Sequence, residues 1–154
     1  MDERMGTVEA IYLAAEHGEV PHAVDQAVGH PGKGLEGDRH FGHPDAGDIT
    51  LIEAEAFERQ LETLGLDLEP GAARRQIIVR GIDLGELIGQ RFQVGELECE
   101  GEERCEPCNH LAGMVGTQVV LKGLLHTGLR ARIVTGGTIR AGDAVRLIRP
   151  VALP

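Results

Sequence analysis

The stretch GKGLEGDRH, residues 32–40, spells a G-x-G-x-x-G through Gly32, Gly34 and Gly37. A dinucleotide-binding loop of that spacing needs a strand running straight into it and a helix opening from it. The pyrophosphate then rests on the helix N-terminus. Here VDQAVGHP leads in, with Pro31 immediately before Gly32, and DRHFGHPDAGD leads out. Neither flank supplies the required element. The spacing suits instead an irregular loop whose glycines take positive φ and bend the backbone sharply. Such a loop could also hold an anion, its amides and the side chains of Lys33, Arg39 and His40 supplying positive potential.

Outward from this loop the chain reads as mainly β with a few short helices. Residues 6–14 (GTVEAIYLA) alternate in part and predict a first strand. Residues 16–47 form a long polar segment, rich in His and Gly, with little periodicity; such stretches are uncommon in compact domains and often functional. A short strand is predicted over 48–52. A helix follows over 53–64, with Ala56, Phe57, Leu61 and Leu64 on one face and Gly65 as its C-cap. Ile77 to Val79 is a β-branched run, and LGELI is at most one helical turn. RFQVGELECEGEE is the clearest strand signal. Phe92, Val94, Glu96, Glu98 and Glu100 share one parity; Gln93, Gly95, Leu97 and Cys99 share the other, and Gly95 near the parity change predicts a bulge. TQVVLKGLLHTG, residues 117–128, predicts a short helix. RARIVTGGTIRAGDAVRLI predicts two strands joined as a hairpin.

Composition supports this reading. The 22 glycines fall between short apolar runs, which favours tight turns in a β-rich fold over a helical bundle. Aromatics make up only 3% of residues, so Val, Ile, Leu and Ala must build the core. Residues 1–154 are expected to form one domain, large enough to bury about 68–70% of the unfolded chain's surface without disulfide staples. A net charge of −10 argues against broad binding to nucleic acid or anionic membranes. No apolar run reaches the length of a membrane span and the first residues lack a signal-peptide core. With three cysteines, this points to a reducing, cytoplasmic setting.

Three groups of residues could carry chemistry. RCEPCNH, residues 104–110, contains a C-x-x-C at Cys105 and Cys108, extended by His110. Zinc would need further ligands, of which His40 and His43 are the remote candidates. A thioredoxin-like pair would need a helix beginning at the motif, and Pro107 with NHLAG makes a poor one. A single thiolate, reactive or ligating, is the third reading, with Cys108 the better exposed candidate. Each nearby carboxylate at about 10 Å opposes its ionisation by only roughly 0.4 kcal/mol in water, so one well-placed arginine or a metal outweighs several. Cys99 alternates with glutamates and reads as a core residue. Among the basic residues, Arg74 and Arg75 stand before a strand, and Arg130 and Arg132 begin one on a single parity. Taken singly each reads as solvated; converging at one barrel end, with Lys33 and Arg39, they would suit a phosphate.

Read together, these motifs resemble the MOSC domain, the family named for the C-terminal domain of molybdenum-cofactor sulfurases. GLEGDRH matches its G-x-x-GD-R-H loop, LIEAEAF an acidic helix start, and Arg74 to Gly81 an R-x-N-I-x-x-x-G element. GQRFQVG matches a G-x-x-[FL]-x-[VI]-G strand, CEPC a C-x-[PR]-C element, and GLRARIVTGGTIRAGDAVRL the closing pattern. Six elements in one order over nearly the whole chain make the resemblance specific.

The resemblance implies a closed or partly open β-barrel like that of the pyruvate kinase barrel domain. It also implies molybdenum cofactor (molybdopterin) binding or sulfur carriage on a cysteine, with reduction of N-hydroxylated compounds as an activity. The family cysteine falls on Cys108, as metal ligand or sulfur carrier, with Cys105 as its resolving partner. The family's cofactor-holding arginine and amide fall on Arg74 and Gln76, where Gln replaces Asn and lengthens the amide arm by one methylene. Lys33, Asp38, Arg39, His40, Arg75 and Arg130 complete the expected cofactor-binding set. A non-catalytic module delivering cofactor or sulfur is the alternative, and a small zinc protein using Cys105, Cys108 and His110 is another. Implied partners are the cofactor, a cysteine desulfurase, an electron-donor protein or a recipient molybdoenzyme. Pyridoxal phosphate is not expected in this chain, nor the ferredoxin and additional N-terminal barrel domains of larger relatives.

Overall fold

Residues 5–16, 21–39, 41–42, 48–65, 76–104 and 128–148 are described by the computed structural model. The first strand, β1 (Met5–Leu13), organises the architecture because it uses both edges. Its buried positions are Gly6 and Val8, then Ile11 and Leu13. The parity changes where the register slips between Val8 and Ala10, so one bulge explains why the alternation in the sequence is partial. One edge of β1 pairs with β6 (Ile77–Arg80). The other pairs with β11 (Ala144–Leu147) near its start and with β2 (His22–Val24) at its end.

The remaining wall is built from β5 (Ile49–Glu53), β7 (Arg91–Val94), β8 (Leu97–Arg104) and β9 (Gly128–Thr135). Their order, β11-β7-β8-β9-β5-β6-β1, closes through the β1–β11 pairing into a seven-stranded barrel. Val8, Ile11, Leu51, Ile77, Val79, Phe92, Val94, Leu97, Cys99, Leu129, Ala131, Ile133 and Val145 are buried in one core cluster. Closure also removes open sheet edges from the barrel wall, which would otherwise template aggregation.

Among the described strands only β5 and β6 run parallel, and parallel neighbours need a crossover, supplied in part by α1 (Ala54–Leu64). The helix packs on β5 and β6 with Ala54, Ala56 and Phe57 buried; burying Phe57 contributes roughly 1.5–3 kcal/mol. Gly65 ends the helix in the left-handed conformation, as expected from the sequence. At the other end Glu53, half-buried, accepts a bond from Leu84 N at 3.0 Å; burial pushes its carboxyl above the ordinary carboxylate range. Leu84–Leu87 forms a single 3-10 turn, matching the reading of LGELI.

Three expectations are corrected. Residues 16–47 are not uniformly irregular: they contain β2, β3 (Gln26–His30) and β4 (Gly34–Leu35), strands too short for periodicity to reveal. Gly95 is not a bulge within one strand. With φ +56° it stands with Glu96 in the two-residue turn joining β7 to β8, where Val94 pairs Leu97. The turn explains the parity change, since it lets Phe92, Val94, Leu97 and Cys99 all point inward. RARIVTGGTIRAGDAVRLI is three strands rather than a hairpin. Its middle piece, β10 (Gly137–Arg140), leaves the barrel to pair with β3 in a small second sheet, β10-β3-β4. That sheet packs on the barrel through Ala27, Leu35 and Ile139. The helix predicted over 117–128 falls mostly outside the described residues.

Candidate functional site

The glycine loop is built by the backbone alone. Gly32, Gly34 and Gly37 all take positive φ, at 72°, 101° and 87°, and the chain turns from β3 into β4 and out again without a helix. Gly34 is the most constrained: a Cβ there would stand 2.7 Å from the Asp48 carbonyl oxygen. The G-x-G-x-x-G is therefore a steric device, as its flanks indicated.

Two buried carboxylates pin this loop to the barrel. Asp48, 8% exposed, accepts at one oxygen, Oδ2, from Gly32 N at 3.2 Å and from Ile133 N in β9 at 2.8 Å. Asp38, also 8% exposed, accepts from Ala14 N at 3.1 Å and from Gln76 Nε2 at 2.9 Å. Beside it Arg39 N donates to Ala14 O at 2.8 Å, so the loop exit lies along the end of β1. Lys33 is exposed in the turn between β3 and β4, where Gly42 N donates to its carbonyl. The turn is bridged by a His30–Glu36 side-chain pair, and Phe41 meets His30 edge-on.

Gln76 connects the loop to the sheet. Its carboxamide oxygen accepts from Thr50 N at 2.9 Å, its own N–H donates to Thr50 Oγ1 at 3.0 Å, and its amino group bonds Asp38. One donor hydrogen and the oxygen of this amide are thus engaged within the protein. Thr50 pairs across the strands with Arg130, and Arg130 with Glu103. A continuous polar row, Asp38–Gln76–Thr50–Arg130–Glu103, therefore crosses the outer face of β6, β5, β9 and β8. Arg130 Nη1 donates to Glu103 Oε1 at 3.0 Å, while its Nε is buried with no hydrogen-bond partner among the described residues. A positively charged donor without a partner suits an anionic oxygen.

The structure thus brings Asp38 and Gln76 into direct contact, sets Arg39 beside them through Ala14, and links Arg130 through Thr50. His40, Arg74, Arg75, Cys105, Cys108 and His110 lie outside the described residues. Among the described residues no group of three His, Cys, Asp or Glu side chains could hold a metal. Cys99 faces the barrel core, where burial pushes its thiol up to about 12, reinforced by Asp48 and Glu98. It is inert at neutral pH, as a core residue should be. Asp48 and Thr50 carry much of this geometry and escaped sequence reasoning. Their signal is only an acid and a hydroxyl flanking a β-branched run, and their partners are far away in the chain.

The MOSC domain family model matches residues 36–146. None of the curated proteins matches the sequence. Solved structures share the fold at low identity. The YuaD protein from Bacillus subtilis aligns with a TM-score of 0.76 and 17% identity over 95% of this chain and 97% of its own. YiiM from Geobacillus stearothermophilus gives 0.72 and 17% over 94% and 75%, and YiiM from Escherichia coli 0.66 and 17% over 99% and 72%. A match spanning most of the chain, from the GDRH loop to the last barrel strand, on the closed β-barrel described above, shows that this chain belongs to the MOSC domain family.

Proposed function

We propose that the protein binds molybdenum cofactor along the Asp38–Gln76–Thr50–Arg130 row, with Cys108 as its metal or sulfur ligand. The observation that supports this most is the buried Arg130 Nε, a donor with no hydrogen-bond partner among the described residues, within a braced polar row. In this reading Arg130, Arg39, Arg74, Arg75, His40 and Lys33 face the phosphate and pterin. Asp38 and Gln76 act mainly behind them, holding the loop against β1 and β5 through the bonds described. The thiolate of Cys108 is a soft donor of the type molybdenum takes. When bound, the cofactor would supply two-electron chemistry for reducing an N-hydroxylated compound, with electrons from a separate donor protein.

A carrier without catalysis uses the same residues differently. Cys108 would hold a persulfide received from a cysteine desulfurase. The Cys105 thiolate then attacks the Cys108 sulfur, the disulfide forms, and the terminal sulfur leaves as hydrosulfide for a recipient molybdoenzyme. Production in cofactor-replete cells tests both. Near-stoichiometric molybdenum with pterin fluorescence is expected, reduced at least about fivefold in Arg130→Ala and unchanged in Arg132→Ala. Stoichiometric zinc without pterin would overturn the proposal in favour of a Cys105, Cys108 and His110 site. Turnover with an artificial reductant then distinguishes enzyme from carrier. In the carrier, Cys105→Ser should load labelled sulfur normally but deliver it slowly.

A further inference from the structure

On the opposite side of the barrel, the outer face of β1, β11 and β7 carries a groove of about 330 Å³. Its floor is one cross-strand row, Met5–Arg146–Gln93. Its wall comes from the β7–β8 turn and the segment between β10 and β11, which bring Glu96, Arg140 and Asp143 to its edge.

Arg146 is unlike the other arginines whose ion pairs the structure describes. Arg80, Arg91, Arg130, Arg132 and Arg140 each have a carboxylate within 4.0 Å. Arg146 instead donates Nε and Nη2 to the neutral Gln93 Oε1, at 3.1 and 2.9 Å, and has no carboxylate partner among the described residues. Gln93 thereby fixes the guanidinium without neutralising it. Each of the two groove acids holds a backbone amide with one oxygen: Glu96 Oε1 accepts from Thr138 N at 2.9 Å, its Oε2 lying 3.8 Å from Arg140 Nη1, and Asp143 Oδ2 accepts from Arg140 N at 2.8 Å. A guanidinium has five N–H donors, and the bonds to Gln93 use two. The end formed by Nη1 and the second Nη2 hydrogen is left as a fork, the geometry that takes a carboxylate in two parallel bonds. Met5, 46% exposed and one strand away in the same row, adds an apolar surface beside that fork.

We infer that this groove binds a small monocarboxylate, its carboxylate on the outer fork of Arg146 and a short aliphatic part against Met5. The site is independent of the molybdenum proposal, since it shares no residue with the Asp38–Arg130 row. Its volume is at the small end for ligand pockets, consistent with a ligand of a few carbons.

The test titrates butyrate, with inorganic phosphate and butanol as comparison probes, into the full chain while following backbone amide shifts. Saturable shifts confined to Gln93, Gly95, Glu96 and Ala144 are expected with butyrate. They should weaken at least about tenfold in Arg146→Gln, weaken less in Met5→Ala, and stay unchanged in Arg132→Gln. Unsaturating shifts, or equal binding by Arg146→Gln, would overturn the site. Equal affinity for phosphate would show an adventitious ion only and overturn the carboxylate class. If Arg146→Gln fails to fold, Arg146→Lys keeps the charge and removes the fork, and parent-like butyrate affinity there overturns the proposal.

Discussion

The two faces of the β8–β9 wall carry the same chemical groups under opposite physics. Inside, the Cys99 thiol sits among core residues, and the buried Asp48 carboxylate takes the backbone amide of Ile133. Outside, Glu98, Glu100 and Glu103 on β8 meet Arg132 and Arg130 on β9 and Arg91 on the adjoining β7 in exposed or half-exposed pairs. The ion pairs are more numerous, yet each is between groups that water would solvate well. The few inner polar groups have no such alternative. A buried acceptor lost inside leaves amides unsatisfied, whereas a lost surface pair is replaced by solvent.

The largest contrast is in reactivity. A thiol held near 12 carries about a thousandfold less thiolate at pH 8 than one at the ordinary 9.0. Iodoacetamide labelling at Cys99, followed by peptide mass, should therefore be suppressed by that factor until the protein unfolds. Stability has the matching sign. The folded state keeps a proton that the unfolded thiol loses, so this thiol's contribution to stability is flat below about pH 9 and falls as pH rises towards 12. Rapid labelling of the folded protein would place Cys99 outside the core.

Gly34→Ala comes next. It forces a side chain into positive φ and against the Asp48 carbonyl, and should cost about 3 kcal/mol by denaturant unfolding. Asp48→Ala removes the acceptor shared by Gly32 and Ile133 and should cost about 2 kcal/mol. Hydrogen exchange should accelerate at those two amides more than in the β7–β8 turn. Uniform acceleration would mean that Asp48 supports the whole barrel rather than the loop.

The smallest effect is expected outside. The Arg132 guanidinium bonded to Glu100 at 2.7 Å, with Arg91 on its other side, holds that carboxyl below its usual range. Solvent screens this contact, so Glu100→Gln and Arg132→Gln, singly or together, should leave the melting temperature nearly unchanged. Any loss with Glu100→Gln should appear above the unfolded carboxyl's titration range and vanish as pH falls through the folded one. A double-mutant coupling as large as the Asp48→Ala effect would erase the distinction between the faces.

How much was legible follows the range of each interaction. The end of α1 was readable because Gly65 caps it locally, and the turn at Gly95 left its mark as a change of parity in consecutive residues. The pairing of β10 with β3 instead of its sequence neighbours was not readable, because a strand's edge accepts any partner that the surrounding core permits. The candidate site divides the same way. Asp38, Arg39, Gln76 and Arg130 stand in motifs that can be read from residue order. That Gln76 spends its amide on Asp38, 38 residues away, and that Asp48 reaches Ile133 across 85, had no sequence signal.

By itself, then, the order of residues carried the family resemblance and, through it, the expected barrel; a β-rich chain and the rejection of a dinucleotide loop followed directly, since turns, caps and alternation are local consequences of side-chain type. Only the tertiary structure decided which strands close the barrel, which carboxylates hold the glycine loop, and that Gln93 holds the Arg146 guanidinium. Those outcomes depend on burial and on partners distant in the chain, where the cost of leaving a polar group unpaired selects one arrangement.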